Sequence, residues 1–208
     1  MRDLLRGLPS LAGPLPEFDP SAAPGDPLPL FESWLREAVA AGVREPHAMT
    51  LSTVDASGRP SARVLILKDA GPDGFRFASA AGGRKGAELA ATPFAALTFY
   101  WSSLGRQVRL RGAVTAAPRA DSERDFLARA PRARAVALAG RQSTPLRDRA
   151  ELAAAVAAAD TGTVPPDWTL YTVEPDEFEF WQADSGRAHV RLSYRRHAAG
   201  WDRELLWP

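Results

Sequence analysis

The stretch from Arg63 to Lys85 has the sequence RVLILKDAGPDGFRFASAAGGRK. The residues GPDG stand between two apolar runs, a pattern that predicts two strands joined by a tight turn. The glycine pair before Arg84 then predicts the start of a helix. The cations Arg63, Lys68, Arg84 and Lys85 and the Ser79 hydroxyl all fall within this hairpin and its exit.

This concentration of cations beside a helix start predicts an anion site. The first turn of a helix carries unpaired N–H groups and a partial positive charge, and both favour phosphate. We therefore predict that the stretch binds the phosphate of a cofactor. The alternative is a hairpin whose basic residues are ordinary solvated side chains.

The composition restricts any anion site to a local one. The chain has 208 residues, 26 Lys and Arg, 25 Asp and Glu, and a formal net charge of +1. This length predicts one domain, with two small domains as the alternative. The charge argues against a chain that binds nucleic acid or a membrane surface as a whole. The sequence has no cysteine, so disulfides and thiolate metal ligands are excluded.

The sequence shows no targeting segment. No apolar run approaches the roughly 20 residues of a transmembrane helix. The first residues, MRDLLRGLPSLAGPLPEFDP, lack the long apolar region of a signal peptide. We therefore expect a cytoplasmic protein with no membrane partner.

The chain divides into an N-terminal arm and one domain. Residues 1–27 are rich in Pro, Gly and Asp and are predicted to form an extended arm. Residues 28–208 are predicted to form the domain, which begins with a helix that ends at Gly42. Strands are then predicted at AMTLSTV (48–54), SARVLILKD (61–69) and FRFASA (75–80), as an antiparallel meander.

The remaining pattern predicts more strands, with short helices between them. The helices are predicted at 82–92, at 120–140 with a break at Pro131, and at 147–160. The strands are predicted as a hairpin from 94–103 and 106–117, two short strands around a Glu-Pro-Asp turn in 168–182, and a C-terminal hairpin in 189–208. About seven strands with helices at the edges predict a small β-barrel of α+β class.

Common catalytic motifs are missing from the sequence. The histidines are His47, His189 and His197, and their spacing predicts no metal site. The sequence has no G-x-S-x-G, no Walker A loop and no G-x-G-x-x-G after a strand. The polar residues that stand out are Arg, Lys, Gln, Ser and Trp, which bind ligands rather than transfer protons. This pattern predicts that a cofactor supplies the reactive centre.

Several separated strings carry a resemblance to a known family. They are EPHAMTLSTVDASGRP, RVLILK, GGRK, GRQVRLRG, RQS, EFWQ and R-A-H-V-R followed by W-x-R-x-L-x-x-P. In this order, the chain resembles the pyridoxamine 5'-phosphate oxidase family of FMN-dependent proteins from about residue 27 to its C-terminus. The resemblance implies an α+β fold, the FMN-binding split β-barrel, which is an antiparallel Greek-key-like barrel with flanking helices. It also implies a homodimer with FMN at the interface.

The resemblance assigns cofactor and substrate contacts to residues of this chain. The implied FMN contacts are Arg63, Val64, Leu65, Ala78, Ser79, Arg84, Lys85, Gln107, Gln142, Ser143, Trp181 and Arg191. The implied substrate contacts are Lys68, Arg129, Arg187 and His189, and the last two, which cover the substrate ring, are the predicted catalytic residues. The alternatives are a core position for Trp181, solvated positions for Gln107 and Gln142, and a structural or surface position for His189.

The sequence departs from the family on the substrate side. Asp125 and Ala133 stand where the family has a phosphate-binding Tyr and Ser, and Val190 stands where it has an acidic residue. A carboxylate beside a phosphate is repulsive, and a lost hydroxyl removes a donor. Arg132 and Arg134 are candidates to replace these contacts.

The resemblance leads to one principal function and two alternatives. The principal function is oxidation of pyridoxamine or pyridoxine 5'-phosphate to pyridoxal 5'-phosphate, with hydride transfer to flavin N5 and O2 as acceptor. The first alternative is an FMN-dependent oxidase of another reduced aromatic substrate, such as a dihydrophenazine carboxylate. The second is a flavin-binding module without catalysis. A nucleic-acid partner is not expected, since basic and acidic residues are interleaved.

Overall fold

The computed structural model describes residues 1–11 and 13–208. The helices in these residues are Arg2–Arg6 (α1), Pro27–Ala40 (α2), Arg84–Ala91 (α3), Arg119–Leu127 (α4), Pro131–Leu138 (α5) and Arg149–Ala157 (α6). The strands are Ala48–Val54 (β1), Pro60–Ile66 (β2), Asp69–Gly71 (β3), Gly74–Ala80 (β4), Phe94–Trp101 (β5), Arg106–Ala116 (β6), Trp168–Gln182 (β7), Val190–His197 (β8) and Gly200–Leu205 (β9). No helix in this part of the chain is long and apolar enough to cross a membrane.

The order of the strands corrects the predicted meander. The strand order is β2-β1-β5-β6-β7-β4-β3, with β8 paired to β7 and β9 paired to β8. β2 and β3 therefore lie at opposite ends of this order, although only Leu67 and Lys68 separate them in sequence. The tight turn at residues 71–74 joins β3 to β4 and not β2 to β4. The meander fails because β4 pairs with β7, a strand some 90 residues further along the chain.

β7 is one strand of 15 residues where the sequence predicts two. Residues 168–173 pair with β4, and residues 177–182 pair with β8. Pro175 falls between these two registers, where its missing N–H removes no hydrogen bond from either ladder. A proline that predicts a turn is therefore tolerated inside a strand that changes partners.

The N-terminal residues differ in part from an extended arm. Arg2–Arg6 form a helix of little more than one turn. Further on, the Tyr194 hydroxyl donates to the Pro24 carbonyl at 2.8 Å, and Arg203 donates to the Ala23 carbonyl. The division between an arm at 1–27 and a domain at 28–208 stays a prediction.

The helices begin where the local sequence supplies caps. The Asp26 side chain accepts a hydrogen bond from the Leu28 N–H at 2.8 Å, and Pro27 occupies the first turn of α2. Gly42 follows this helix with a φ of +71°, a conformation that suits glycine after a helix end. Asp148 caps α6 by accepting from the Ala150 and Glu151 N–H groups. These local signals explain why the helix positions were predictable.

The chain separates into two compact units. The first comprises Met1–Thr50, Ala96–Arg111 and Pro175–Pro208, and the second comprises Leu51–Ala95 and Gly112–Glu174. The core of the first unit is aromatic: the Trp34 and Phe180 ring centroids lie 5.3 Å apart, and those of Phe180 and Tyr194 lie 5.8 Å apart. In the second unit Phe77 stacks on Tyr171, its cross-strand partner, at 5.3 Å. Such rings account for much of the apolar surface that each core buries.

The start of α3 depends on a close approach of two backbone segments. A Cβ on Gly86 would lie 2.0 Å from the Ala81 carbonyl oxygen. Gly86→Ala is therefore expected to lower the free energy of unfolding by about 2–3 kcal/mol, despite the better helix propensity of alanine. The measurement is the urea unfolding midpoint. Gly71→Ala is the control: a Cβ there meets no atom within 4 Å, and equal effects of the two substitutions would contradict the prediction.

Candidate functional site

A polar pocket in the second unit contains the basic residues predicted from the sequence. The pocket has a volume of about 500 Å³, and its lining includes Ser61, Arg63, Arg84, Lys85, Gln142 and Ser143. β2 contributes the first two of these residues, the first turn of α3 contributes the next two, and the loop before α6 contributes the last two. The structure therefore brings together five of the predicted cofactor contacts in one place.

Lys85 is the most buried cation of this pocket. The residue is 7% exposed, and its ammonium donates to the Ser79 hydroxyl at 2.8 Å and to Gln142 Oε1 at 2.6 Å. Burial lowers the pKa of Lys85, and the positive charge of Arg63 lowers it further, whereas Glu88 opposes both effects. An anion beside this ammonium would replace the solvation that burial removes.

A buried carboxylate, Glu88, holds the two arginines in place. It is 4% exposed and accepts from Arg63 Nη2 at 3.0 Å and from Arg84 Nε at 2.9 Å. It also accepts from the Thr53 hydroxyl at 2.5 Å and the Ser61 hydroxyl at 2.9 Å. Burial alone would raise the pKa of Glu88, but these four hydrogen bonds outweigh it and lower the pKa to about 2. Glu88 therefore stays ionised at neutral pH.

The sequence analysis did not identify Glu88. Its signal is its position four residues after Arg84, which places both side chains on one face of α3. The contacts with Thr53 and Ser61 depend on strands 35 and 27 residues away, so local sequence could not reveal them.

The charges and donors of the pocket fit a phosphate monoester. Arg63, Arg84 and Lys85 contribute +3 and Glu88 contributes −1, which leaves a net charge of +2 against a dianion. The first turn of α3 adds backbone N–H groups and the positive end of the helix. Gly83, at its N-cap, is packed so closely that a Cβ would lie 2.6 Å from Gln142 Oε1. Among the described residues, no side chain caps α3 at Gly83, so the N–H groups of its first turn are available to a ligand.

Backbone strain coincides with two of the predicted site residues. Ser143 has a φ of +74° and Arg187 a φ of +66°, in a region that residues other than glycine seldom adopt. Such strain persists where the surrounding structure fixes the conformation, and it is frequent at ligand sites. Both residues are therefore held in place rather than free to adopt relaxed turns.

In the first unit, the predicted catalytic pair lies on the segment before β8. His189 and Trp181 have ring centroids 4.9 Å apart, with an interplanar angle of 51°. The Asp184 N–H donates to His189 Nδ1 at 3.0 Å, so the neutral imidazole carries its proton on Nε2. Arg187 is exposed, and its N–H donates to the Asp184 carbonyl at 3.0 Å. These hydrogen bonds to Asp184 order the backbone at Arg187 and the ring of His189, and the Arg187 guanidinium stays accessible.

Arg191, a predicted cofactor contact, forms an ion pair with Glu179. Its Nε and Nη2 donate to the two oxygens of this carboxylate at 3.1 and 3.0 Å, and Nη1 donates to the Trp207 carbonyl at 2.8 Å. Arg109 donates to Glu179 at 2.5 Å from the neighbouring strand β6. Burial acts to raise the pKa of Glu179, but the hydrogen bonds and charges of both arginines lower it. The sequence analysis did not identify Glu179 or Arg109 at this site.

Of the predicted substrate contacts, Lys68 lies beside Asp125, and Arg129 lies over Trp168, which itself contacts Asp125. The Lys68 ammonium is 3.5 Å from Asp125 Oδ1, and Trp168 Nε1 donates to Asp125 Oδ2 at 3.0 Å. The Arg129 guanidinium lies 4.5 Å from the centroid of the Trp168 ring. Asp125, which departs from the family pattern, therefore neutralises Lys68 through an ion pair.

The other predicted contacts lie outside the pocket lining. Val64 is 65% exposed on β2, and Leu65 and Ala78 are half-buried on β2 and β4. Gln107 is half-buried on β6, in the first unit. Their contacts with a cofactor stay predictions. Across residues 1–11 and 13–208, no group of three or more His, Cys, Asp and Glu side chains could hold a metal ion.

An α+β chain with this basic pocket is similar over nearly its whole length to a known family. Residues 35–182 match the family model described as Pyridoxamine 5'-phosphate oxidase. Residues 168–208 match the model described as Pyridoxine 5'-phosphate oxidase C-terminal dimerisation region. The chain therefore belongs to the pyridoxamine 5'-phosphate oxidase family.

Relatives and solved structures agree with this assignment. The chain is 44% identical to the pyridoxine/pyridoxamine 5'-phosphate oxidase of Burkholderia multivorans, over 92% of this chain and 93% of that protein. It is also 44% identical to the enzyme of the same name from Anaeromyxobacter dehalogenans, over 94% of this chain and 100% of that protein. PhzG from Burkholderia lata 383, solved in complex with tetrahydrophenazine-1-carboxylic acid, has a TM-score of 0.86 and 32% identity, covering 94% of this chain and 100% of that one.

A more distant structure shares the fold. A pyridoxamine 5'-phosphate oxidase-related, FMN binding protein of Nostoc punctiforme has a TM-score of 0.71 at 19% identity, covering 86% and 97% of the two chains. The expected fold class, an α+β split β-barrel, is confirmed by these similarities.

Proposed function

We propose that the chain is an FMN-dependent oxidase, in which a small reduced substrate gives a hydride to flavin N5 and O2 is the final acceptor. The observation that carries the proposal is the pocket of Arg63, Arg84 and Lys85, whose net charge of +2 with Glu88 matches a phosphate dianion. The family and the relatives at 44% identity support the same reaction class.

The residues proposed to bind the cofactor, or to hold its ligands in place, have distinct tasks. Lys85 and the N–H groups of α3 bind the FMN phosphate, since charge-assisted hydrogen bonds are the strongest available. Glu88 holds Arg63 and Arg84 so that their guanidinium groups do not separate by mutual repulsion. Gln107 and Gln142 are proposed to satisfy the polar edge of the flavin, and Trp181 to provide apolar surface.

The proposed catalytic residues bind and orient the substrate ring. His189 has its Nδ1 occupied by the Asp184 N–H, which leaves Nε2–H to donate to a substrate. Arg187 has a fixed backbone and an exposed guanidinium. Their proposed task is to hold the reacting carbon in place, because correct placement supplies much of the rate in such a reaction.

The relatives support pyridoxine or pyridoxamine 5'-phosphate as the substrate, with pyridoxal 5'-phosphate as the product. In this proposal Lys68 and Arg129 bind the substrate phosphate. The match of residues 168–208 to a dimerisation region supports a homodimer, and we propose FMN at its interface. A cytoplasmic location stays a prediction from the sequence.

A reduced tricyclic carboxylate is the second candidate substrate. The ion pair between Lys68 and Asp125 favours it, because this carboxylate lies where a substrate phosphate is expected. PhzG, whose structure contains tetrahydrophenazine-1-carboxylic acid, supports the same alternative.

The proposal is tested by absorbance and by turnover. The purified protein, or the protein after addition of FMN, is expected to show flavin absorption bands and to release hydrogen peroxide with pyridoxamine 5'-phosphate or a reduced phenazine carboxylate. A colourless protein that does not bind added FMN contradicts the proposal. A flavin-loaded protein that oxidises neither substrate supports the non-catalytic alternative.

Arg187→Ala and His189→Ala are each expected to lower kcat/KM by about tenfold or more while leaving FMN bound. The reason is loss of substrate orientation, which affects the reaction and not the cofactor pocket. The measurement combines peroxide release with flavin absorbance. His197→Ala is the control, since this histidine is exposed near the end of β8. Equal turnover by all three variants and the wild type would show that the catalytic assignment is wrong.

A further inference from the structure

Asp125 occupies the proposed substrate-anion subsite with a fixed geometry. Its side chain is 12% exposed, and one of its oxygens lies 3.5 Å from the Lys68 ammonium. Its other oxygen accepts from the Trp168 indole at 3.0 Å. A carboxylate held by both oxygens cannot turn away when an anionic ligand arrives without losing one of these contacts.

Trp168 connects Asp125 to the second cation of the subsite. The Arg129 guanidinium lies 4.5 Å from the Trp168 ring centroid, while the indole N–H is donated to Asp125. Within the described part of the chain, Arg129 Nε is buried without a hydrogen-bond acceptor, as is Arg134 Nε on the next helix. Since buried donors are normally satisfied, this group points to an acceptor that the protein itself does not provide.

The charge of the subsite follows from these three residues. Lys68 and Arg129 contribute +2 and Asp125 contributes −1, so their sum is +1. A phosphate monoester carries about −1.5 to −2 near neutral pH, whereas a carboxylate or a phosphodiester carries one negative charge. Bringing a dianion to a site of charge +1 adds like-charge repulsion from Asp125.

We propose that Asp125 is a specificity-determining residue that makes this subsite select a substrate whose anchoring group carries a single negative charge. This inference rests on the proposed oxidase function, and of the two candidate substrates it favours the reduced tricyclic carboxylate over the 5'-phosphate. Lys68 is paired with Asp125, Arg129 provides an unsatisfied donor, and together the three residues match one anionic group of low charge. A phosphate monoester binds the same subsite more weakly.

The experiment compares three ligands that cannot be oxidised. The first is 4-deoxypyridoxine 5'-phosphate, which lacks the reactive hydroxymethyl group, and the second is its methyl phosphodiester, which has the same ring and one negative charge. The third is phenazine-1-carboxylate, which places the single charge on a carboxylate. Affinities are measured by calorimetry on the FMN-loaded protein, and the last two ligands distinguish the source of the single charge.

The wild-type protein is expected to bind the methyl phosphodiester or the carboxylate at least as tightly as the phosphate monoester. In Asp125→Asn, affinity for the monoester is expected to rise by about tenfold or more, while affinity for the two singly charged ligands changes by less than about threefold. Asp125→Glu is expected to keep the wild-type order. Asp121→Asn is the matched control, since it removes a charge from the same helix, where Asp121 pairs with Arg124 at 2.9 Å.

Several outcomes overturn the inference. These are a wild-type preference of tenfold or more for the monoester, an equal gain for all three ligands in Asp125→Asn, or binding of none of them by the flavin-loaded protein. The wild-type comparison decides the question even if Asp125→Asn does not fold. Failure of the proposed function is read separately, from absent flavin absorption, so the two failures are distinguishable.

Discussion

Replacement of Lys85 by Met is expected to weaken FMN binding by about 10- to 100-fold. Lys85 is 7% exposed, and its ammonium donates to the Ser79 hydroxyl and to the Gln142 amide oxygen. A hydrogen bond to a charged group contributes about 1.5–3 kcal/mol, which corresponds to this range of affinity. Methionine keeps the length of the side chain, so the loss reports the charge and the donor. The measurement is titration of the apoprotein with FMN, followed by flavin fluorescence.

The control for Lys85→Met is Arg36→Met. The Arg36 side chain is 81% exposed on α2, where it pairs with Glu32 at 3.7 Å. This substitution removes one positive charge far from any pocket residue in sequence, and FMN affinity is expected to stay within about twofold of the wild type. If Lys85→Met also retained wild-type affinity, the phosphate would have to bind elsewhere.

Glu88→Gln is expected to lower the free energy of unfolding by about 2–4 kcal/mol. The carboxylate accepts four hydrogen bonds, two of them from arginines. An amide has one oxygen to offer, so two donors lose their acceptor, and the cations lose a partly buried counter-charge. The measurement is the urea midpoint at constant m-value.

Glu32→Gln is the control for this substitution. The Glu32 side chain is 47% exposed and pairs with Arg36 at 3.7 Å, and surface pairs of this kind contribute little. Its effect is expected to stay within about 0.5 kcal/mol. A similar small effect for Glu88→Gln would mean that the arginines are positioned without this carboxylate.

The effect of Glu88→Gln is also expected to depend on pH. The pKa of Glu88 is lowered from 4.5 to about 2 in the folded protein, so the folded state binds its proton less readily than the unfolded chain. Glu88 therefore stabilises the protein fully above pH 4.5, and this contribution is lost as pH falls toward 2. The difference in unfolding free energy between wild type and Glu88→Gln should shrink over this interval. Comparing the two proteins cancels the contribution of other carboxylates.

The sequence predicted local structure well where short-range signals exist. β1 was predicted with the bounds that the structure has, Ala48–Val54, because alternation and flanking turns define it. α2 was predicted from its apolar spacing, and the structure adds the Asp26 cap. Pairing between distant strands leaves no such signal, so the predicted meander and the two-strand interpretation of residues 168–182 were both wrong.

The candidate site shows the same division. Arg63, Arg84 and Lys85 were identified because they lie within one short stretch of sequence. Gln142, 57 residues from Lys85, entered through the family resemblance and lies within hydrogen-bond distance of it. Two counter-charges were missed: Glu88 on α3 pairs with Arg63 on β2, and Glu179 on β7 pairs with Arg109 on β6. Counter-charges belong to the tertiary structure, and residue types alone do not reveal them.

Lys68 and Lys85 are the two lysines of the chain, and each belongs to a different proposed anion subsite. Lys68 has 31% of its side chain exposed, whereas Lys85 is 7% exposed. Acylating reagents are therefore expected to modify Lys68 faster than Lys85. Peptide mass mapping after such labelling then distinguishes the two ligands. Protection of Lys85 would record a bound cofactor, and protection of Lys68 would record a bound substrate.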